Sequence, residues 1–347
     1  MTPTALVDPS RLGDWLAQRV EGDGEVRVAR LGEGHSNLTY AVSCGDHDWV
    51  LRRPPAGPLL PTAHDVVREF RVLDLLGRSD VRVRVPGVVA VCEDASVLGV
   101  PFYLMERADG TVVRDKLPWW LTEPGRRALG LDLAGALAEI HRVPVEPFVA
   151  AGLGRPAGYL DRQLRRWAGQ REGIQAAVAD AGGRARELPD YDAVRDWLGA
   201  NLPEEQAPAV VHGDYKLDNV VVGPGERPRV AAVLDWEMAT VGDPRADLGY
   251  LLSFWPAPGE GYPLGDLVAT GPGFPSRDEL VAAWEDGTGR SAGDPTWFVT
   301  LGIWKLAVLL EASYHRFLAG HTDDTFFASL EQGVPALLAH ARGRCGG

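Results

Sequence analysis

The sequence predicts an α+β protein of two unequal lobes, a small antiparallel-sheet lobe over residues 1–107 and a mainly helical lobe over residues 108–347. Two observations carry this. Short apolar runs separated by glycine and proline turns dominate before Glu106, and apolar positions at helical spacing dominate after it. The length agrees, because 347 residues suit two packed units better than one.

Taken in order, Asp8 to Val20 places Leu12, Trp15, Leu16 and Val20 on one helix face, with Asp8, Pro9 or Ser10 starting it. From Val26 to Val42 the pattern is a strand, the glycine-bearing stretch LGEGHSNLTY and a return strand, and HDWVLRR after Gly45 and Asp46 supplies the next. Beyond a proline-rich loop, Val66, Phe70, Leu73 and Leu76 predict a helix over His64 to Leu76. Val88 to Cys92 and Leu98 to Met105 predict two more strands, giving one helix against a five-stranded sheet. Helices are then predicted over Pro124 to His141, Tyr159 to Ala168, Tyr191 to Leu202, Asp278 to Trp284 and Trp297 to Phe317. An exposed loop is expected from Asp180 to Pro189. PAVVHG and RVAAVLDW read as strands of a small second sheet, and the glycine-rich tail after Ala341 is expected to fray.

Composition narrows the function. With 48 acidic against 35 basic residues the chain carries −13, which argues against a nucleic-acid binder or a surface held on anionic lipid. Cys44, Cys92 and Cys345 are scattered and odd in number, so neither a disulfide framework nor a thiolate metal site is suggested. The amino terminus has no basic segment followed by an apolar one, and the apolar run Phe298 to Leu310 is short and carries Lys305. No export signal or membrane span is expected, and a reduced, cytoplasmic setting is. The basic residues are nearly all arginine: Lys116, Lys216 and Lys305 are the three lysines.

The chemically richest segments are VVHGDYKLDNVV, Val210 to Val221, and AAVLDWEMATVGDPRADLG, Ala231 to Gly249. His212, Asp214 and Asn219 interrupt strand-like runs in the first, and Asp235 ends one in the second. Two carboxylates and an amide at strand ends can meet across a cleft, one carboxylate orienting a hydroxyl and the other, with the amide, holding a hard divalent cation. This pairing resembles the catalytic segment of the aminoglycoside phosphotransferase and choline kinase superfamily, which has the two-lobed protein-kinase-like fold. The resemblance implies Asp214 as the base or hydroxyl-orienting carboxylate, His212 as a support of its loop, Asn219 and Asp235 as Mg2+ ligands, and ATP as phosphoryl donor. Glu237 has two readings, near the metal or at a helix start. Asp247 is preferred over Asp243 as the aspartate that braces the catalytic loop.

At the nucleotide end, Gly32 and Gly34 lie between predicted strands, where backbone N–H groups can meet phosphate oxygens, with Ser36 and Asn37 as supports or turn caps. His35 is read as a loop-packing or hydrogen-bonding residue. No Gly-Lys-Ser/Thr ending makes this a P-loop. The basic residue that clamps phosphate in a kinase cannot here be lysine, since none precedes Glu106. Strand alternation separates Arg52 from Arg53; Arg52 is the first choice for the phosphates and Arg53 the alternate, with Glu69 of the following helix as partner. The backbone from Met105 to Arg107 is placed to pair with adenine, and Met105 also fits simple packing.

GEGHSNLTY, VLRRPP, VREFRVLDLL and the two catalytic segments together look like the branch related to the kinase-like domain attached to some acyl-CoA dehydrogenases, a group associated with hydroxyacyl-CoA phosphorylation. The resemblance covers roughly residues 8 to 335. It implies a small-molecule hydroxyl acceptor, and a separate acyl-CoA-metabolising enzyme as a partner. The aminoglycoside reading predicts inward-facing carboxylates for a polycation, whereas the hydroxyacyl reading predicts an apolar groove and basic contacts to a coenzyme phosphate. A protein-kinase reading lacks an activation segment ending in Ala-Pro-Glu, and a non-catalytic nucleotide-binding module sits poorly with Asp214, Asn219 and Asp235 all present. Trp119, Trp120, Trp255, Trp304 and Tyr314 suit either an acceptor pocket or the core.

Overall fold

The computed structural model describes residues 6–20, 24–31, 37–55, 65–257, 259–320 and 324–346. It begins with α1 (Pro9–Leu16), whose first turn is capped by the Asp8 carboxylate accepting from the N–H groups of Ser10 and Arg11. Strands β1 (Arg27–Arg30), β2 (Leu38–Cys44) and β3 (His47–Arg53) form a meander. After them come α2 (Val66–Gly77), β4 (Val88–Cys92), a helical turn α3 (Ala95–Leu98) and β5 (Phe102–Glu106). The sheet is antiparallel in the order β1-β2-β3-β5-β4, with α2 packed against β4 and β5. The strand expected from Leu98 starts only at Phe102, because Asp94 caps the α3 turn and Gly99 closes it at φ 84°.

The sheet's two faces belong to different cores. Leu51, Phe102 and Leu104 pack with Trp15 and Leu16 of α1, while Val50, Tyr103 and Met105 face α2 and join the large core of the helical lobe. Strand alternation thereby sends neighbouring side chains of β3 to opposite destinations.

The helical lobe contains β6 (Thr111–Val112), α4 (Glu123–His141), α5 (Glu146–Ala150), α6 (Tyr159–Asp180) and α7 (Pro189–Ala200). Next are the short strands β7 (Ala209–Val211), β8 (Val220–Gly223), β9 (Arg229–Val233) and β10 (Thr240–Gly242). Helices α8 (Arg245–Ser253), α9 (Arg277–Thr288), α10 (Thr296–Leu318) and α11 (Phe326–Arg342) complete it. β10 pairs with β7, and β6, β8 and β9 make a three-stranded sheet. Both motif segments therefore emerge together: β7 enters and β8 leaves the His212–Asn219 loop, while β9 delivers Asp235 before the chain returns as β10.

Several expectations are corrected. α6 runs to Asp180 rather than Ala168, and α5, α11 and β6 add to the predicted set. The segment between α6 and α7 is anchored rather than wholly exposed: Arg186 reaches the buried Glu311 of α10 at 2.5 Å, and Leu188 is buried. The tail does not fray at Ala341, since Cys345 is buried and Arg344 pairs with Glu260 at 2.5 Å. α10 is the one described helix long and apolar enough to cross a bilayer, and 72% of its apolar window is buried inside the protein. Trp255, Trp304 and Tyr314 are core residues, whereas Trp119 is 94% exposed.

Candidate active site

Asp214 sits one residue past Gly213, which adopts φ 85° and would carry a Cβ only 2.7 Å from the Met238 carbonyl oxygen. Only glycine allows the loop to approach the Asp235 segment so closely. Asp247, at the start of α8, holds the same turn from behind: it accepts from the His212 N–H at 2.6 Å and the Gly213 N–H at 2.8 Å. It is fully buried, yet its carboxyl lies below the usual range, because His141 and the loop amides outweigh the desolvation that would raise it. Asp243 is also buried and not a solvated helix start; it pairs with Arg245 at 2.7 Å and caps the Gln206 N–H.

His212 is buried beneath the loop. Its Nδ1 accepts from the Asp214 N–H at 3.1 Å, which leaves Nε2–H to donate to the Leu234 carbonyl at 2.8 Å. The imidazole thus staples the Asp214 loop to the residue preceding Asp235. Asn219 makes a second link, its Nδ2 donating to the Asp214 carbonyl at 2.8 Å and Oδ2 at 2.6 Å while its own carbonyl accepts from the Leu234 N–H at 2.8 Å. With Nδ2 committed, Asn219 Oδ1 is available as a neutral oxygen ligand.

Asp235 has φ 66°, the only positive value for a non-glycine residue among those described. Such backbone at a motif aspartate marks a position whose side-chain direction matters more than local relaxation. Arg52 of β3 reaches across to it, Nη2 to Oδ1 at 3.1 Å, and lies 3.3 Å from Glu69 Oε2. Burial opposes the Arg52 charge, but Glu69, Tyr103 and Asp235 raise its pKa. Glu69 is buried on α2 and accepts from the Trp236 N–H at 3.2 Å; desolvation raises its pKa against the pull of Arg52. Arg53 leaves on the opposite sheet face, donating to the carbonyls of Pro54, Leu98 and Leu6.

The donor set suits Mg2+, a cation that takes one or two protein oxygens and fills its octahedron with water and phosphate. Asn219 Oδ1 and the Asp235 carboxylate are the oxygens that could hold it, and the Asp235 side chain is 29% exposed. Glu69 Oε2 and Arg52 Nε, buried and without a hydrogen bond, satisfy each other as an ion pair at 3.3 Å.

Gly32, Gly34, His35 and Ser36 lie outside the described residues. Asn37 is buried and donates Nδ2 to Glu237 Oε2 at 3.3 Å, with its Oδ1 unpartnered. Glu237 thus faces the end of the glycine-bearing stretch. Met105 is buried in β5 opposite Val50, and Arg107 is exposed just beyond it; the intervening Glu106 N–H is taken by the Gly87 carbonyl at 2.7 Å.

Sequence reasoning missed the lysines. Lys216 lies 3.9 Å from Asp214 and 3.3 Å from Asp218, and these carboxylates outweigh its desolvation to raise its pKa. Lys305 of α10, buried over the Tyr250 ring at 4.3 Å, donates to the Gly213 carbonyl. Desolvation lowers it to about 8 against the pull of Asp214 and Asp247. For Asp214, Lys216, Lys305 and the Tyr250 hydroxyl together overcome desolvation and lower the pKa. The only signal in the sequence was scarcity: two of three lysines converge on one loop.

A sheet lobe presenting an Arg–Glu pair to a helical lobe that holds an Asp–Asn–Asp constellation defines a kinase-like phosphotransferase. The phosphotransferase enzyme family model matches residues 27–280, and the chain belongs to that family. It is similar to acyl-CoA dehydrogenase family member 11 of Homo sapiens, 34% identical over 95% of the chain, of which it spans only 42%. Viomycin phosphotransferase of Streptomyces vinaceus is 26% identical over 62% of the chain and 70% of its own length. Among solved structures, a candidate aminoglycoside phosphotransferase from Ralstonia eutropha JMP134 superposes at TM-score 0.77 with 29% identity, covering 97% of this chain and 98% of its own. An aminoglycoside phosphotransferase complexed with AMP-PNP and hygromycin B superposes at 0.59 with 19% identity, covering 97% and 96%, and so shares the fold.

Proposed function

We propose that this enzyme transfers the γ-phosphate of ATP to a hydroxyl group of a small molecule, with residues 1–107 forming the nucleotide lobe and 108–347 the catalytic and acceptor lobe. The observation that carries the reading is the welding of Asp214, Asn219 and the Leu234–Asp235 strand end into one hydrogen-bonded unit. Asp214 accepts the acceptor's proton as its oxygen bonds to the γ-phosphorus, the bond from that phosphorus to the β,γ-bridging oxygen breaks, and ADP leaves. Asn219 and Asp235 hold Mg2+, which supplies neutralisation of phosphate charge when bound. Arg52, steered by Glu69, contacts the donor phosphates, and the backbone of the glycine-bearing stretch, with Gly32, Gly34, Ser36 and Asn37, covers them. Met105 to Arg107 border the adenine. His212 acts by holding the loop.

Two acceptor classes are supported by different observations. The relatives bearing acyl-CoA dehydrogenase names favour an acyl-CoA-linked acceptor, read here as a hydroxyacyl-CoA, and a partner dehydrogenase activity; the chain spans less than half their length, so this is a reading of the kinase-like part alone. The solved structures favour an aminoglycoside. A screen for acceptor-dependent ADP release over hydroxyacyl-CoAs, aminoglycosides, sugars and choline-like alcohols tests both, with Asp214→Asn as control. Equal ADP release by Asp214→Asn and the parent enzyme would remove the proposed mechanism.

A further inference from the structure

The N-terminal half of α6 and the loop before it line an open cavity of about 860 Å³ whose wall carries four arginines, Arg155, Arg162, Arg165 and Arg166. This is unexpected in a chain of net charge −13, and more so in residues 108–347, which hold 33 acidic and 23 basic side chains. Arg162 and Arg166 stand four residues apart on one helix face, an arrangement that like charges disfavour unless something anionic offsets it. Arg165 pairs with Asp161 at 2.6 Å, but among the described residues Arg155, Arg162 and Arg166 form no ion pair.

Part of the cluster is preset. Arg162 donates to the carbonyls of Ala157 and Arg155, and the Arg166 guanidinium lies 5.2 Å from the Trp167 ring centre. The cavity also backs onto the catalytic loop. Tyr159 and Gln163 line it and also line a small void bounded by Gly213, Asp247, Tyr250 and Lys305. Its floor includes Thr240 of β10, which pairs with Val211 just before His212. Along the chain, residues 236–239 lie between Asp235, where Arg52 sits, and Thr240 on the cavity wall.

From this we infer that the cavity binds a phosphate-bearing portion of the acceptor, of the kind coenzyme A carries, with Arg155, Arg162 and Arg166 as its ligands. The inference rests on the acceptor-phosphorylating reading above and narrows it. Guanidinium forks match phosphate oxygens and keep their charge at any working pH. A polycationic acceptor would meet like charge here.

The test is calorimetric titration of the folded enzyme with coenzyme A, with and without saturating Mg2+–AMP-PNP. The variants are Arg155→Gln combined with Arg166→Gln, Arg162→Gln, and Arg184→Gln as a control outside the cavity. The expected result is coenzyme A binding that persists with AMP-PNP, weakens at least about tenfold in the double variant and Arg162→Gln, and is unchanged in Arg184→Gln. Thermal melts confirm that the variants are folded. Absence of binding to the parent enzyme, equal binding by the double variant, or displacement by AMP-PNP would overturn the inference, the last by placing the ligand in the nucleotide cleft. Because this readout needs no turnover, failure of the phosphoryl-transfer reading is seen separately, as absent ADP release with every hydroxyl acceptor.

Discussion

Replacing Asp247 by alanine should disable the enzyme through a loop that the residue never leaves. Asp247 receives the N–H groups of His212 and Gly213 on separate oxygens, and His141 Nε2 lies 3.3 Å from one of them. The proton on that imidazole can be assigned. Trp284 Nε1 can only donate, and it does so to His141 Nδ1 at 2.9 Å, so His141 is the Nε2–H tautomer and donates to Asp247. Desolvation lowers the His141 pKa despite the nearby carboxylate, which fits a neutral ring. Alanine would leave two buried amides and one imidazole N–H without an acceptor. At about 1–3 kcal/mol for each unsatisfied buried donor, the loss should total about 3–9 kcal/mol. Urea unfolding at constant m-value measures this, and initial-rate kinetics should show kcat falling more than the nucleotide KM rises. Asp247→Asn is informative beside it, because its amide has one acceptor oxygen for N–H groups that now use two. A parent-like midpoint and kcat for Asp247→Ala would refute the bracing argument.

Arg52→Lys keeps the charge but loses the fork that spans Glu69 and Asp235, so KM for ATP should rise about tenfold; an unchanged ATP titration would count against a phosphate role for Arg52. Gly213→Ala meets both a left-handed φ and the Met238 carbonyl, so unfolding should show a loss of at least about 2 kcal/mol, and parent-like stability would show that the loop can shift freely. Lys305 has a pKa depressed to about 8 from 10.5, so below pH 8 the folded state bears the full cost of its buried charge. As pH rises through 8 towards 10.5 the unfolded chain keeps a proton that the folded one has released, and stability rises by up to about 3 kcal/mol. Against Lys305→Met, which lacks this group, the parent should gain stability across that window in urea titrations; a flat difference would mean that the ammonium is not depressed.

Much of this architecture was legible because its signals are local. The α2 helix shows apolar spacing, β2 alternates, β3 carries a short apolar run, and the HGDYKLDN and LDWE segments carry their chemistry in short contiguous runs. What was not legible depends on distant contacts. The second half of α6 has few buried positions beyond Trp167 and Arg171, so apolar periodicity faded before the helix ended. α11 was missed in a stretch holding Gly333 and Pro335. Arg186 looked like loop charge until Glu311, 125 residues away, supplied its partner. Lys305 lay in an apolar helix whose sequence gave no hint that Gly213 would stand opposite it.

Arg68 sits beside Glu69 on α2, and its guanidinium donates to the carbonyls of Leu153, Glu237 and Ala239. Three backbone acceptors from two segments of the helical lobe thus moor the helix that steers Arg52. Protein kinases regulate by letting the corresponding helix swing and by ordering an activation loop through phosphorylation. Here the tether is a set of hydrogen bonds from one arginine to main-chain carbonyls, which no modification needs to create. The helix that carries Glu69 is therefore held against the helical lobe by residues of the chain itself, and the Arg52–Glu69 pair is set by folding alone.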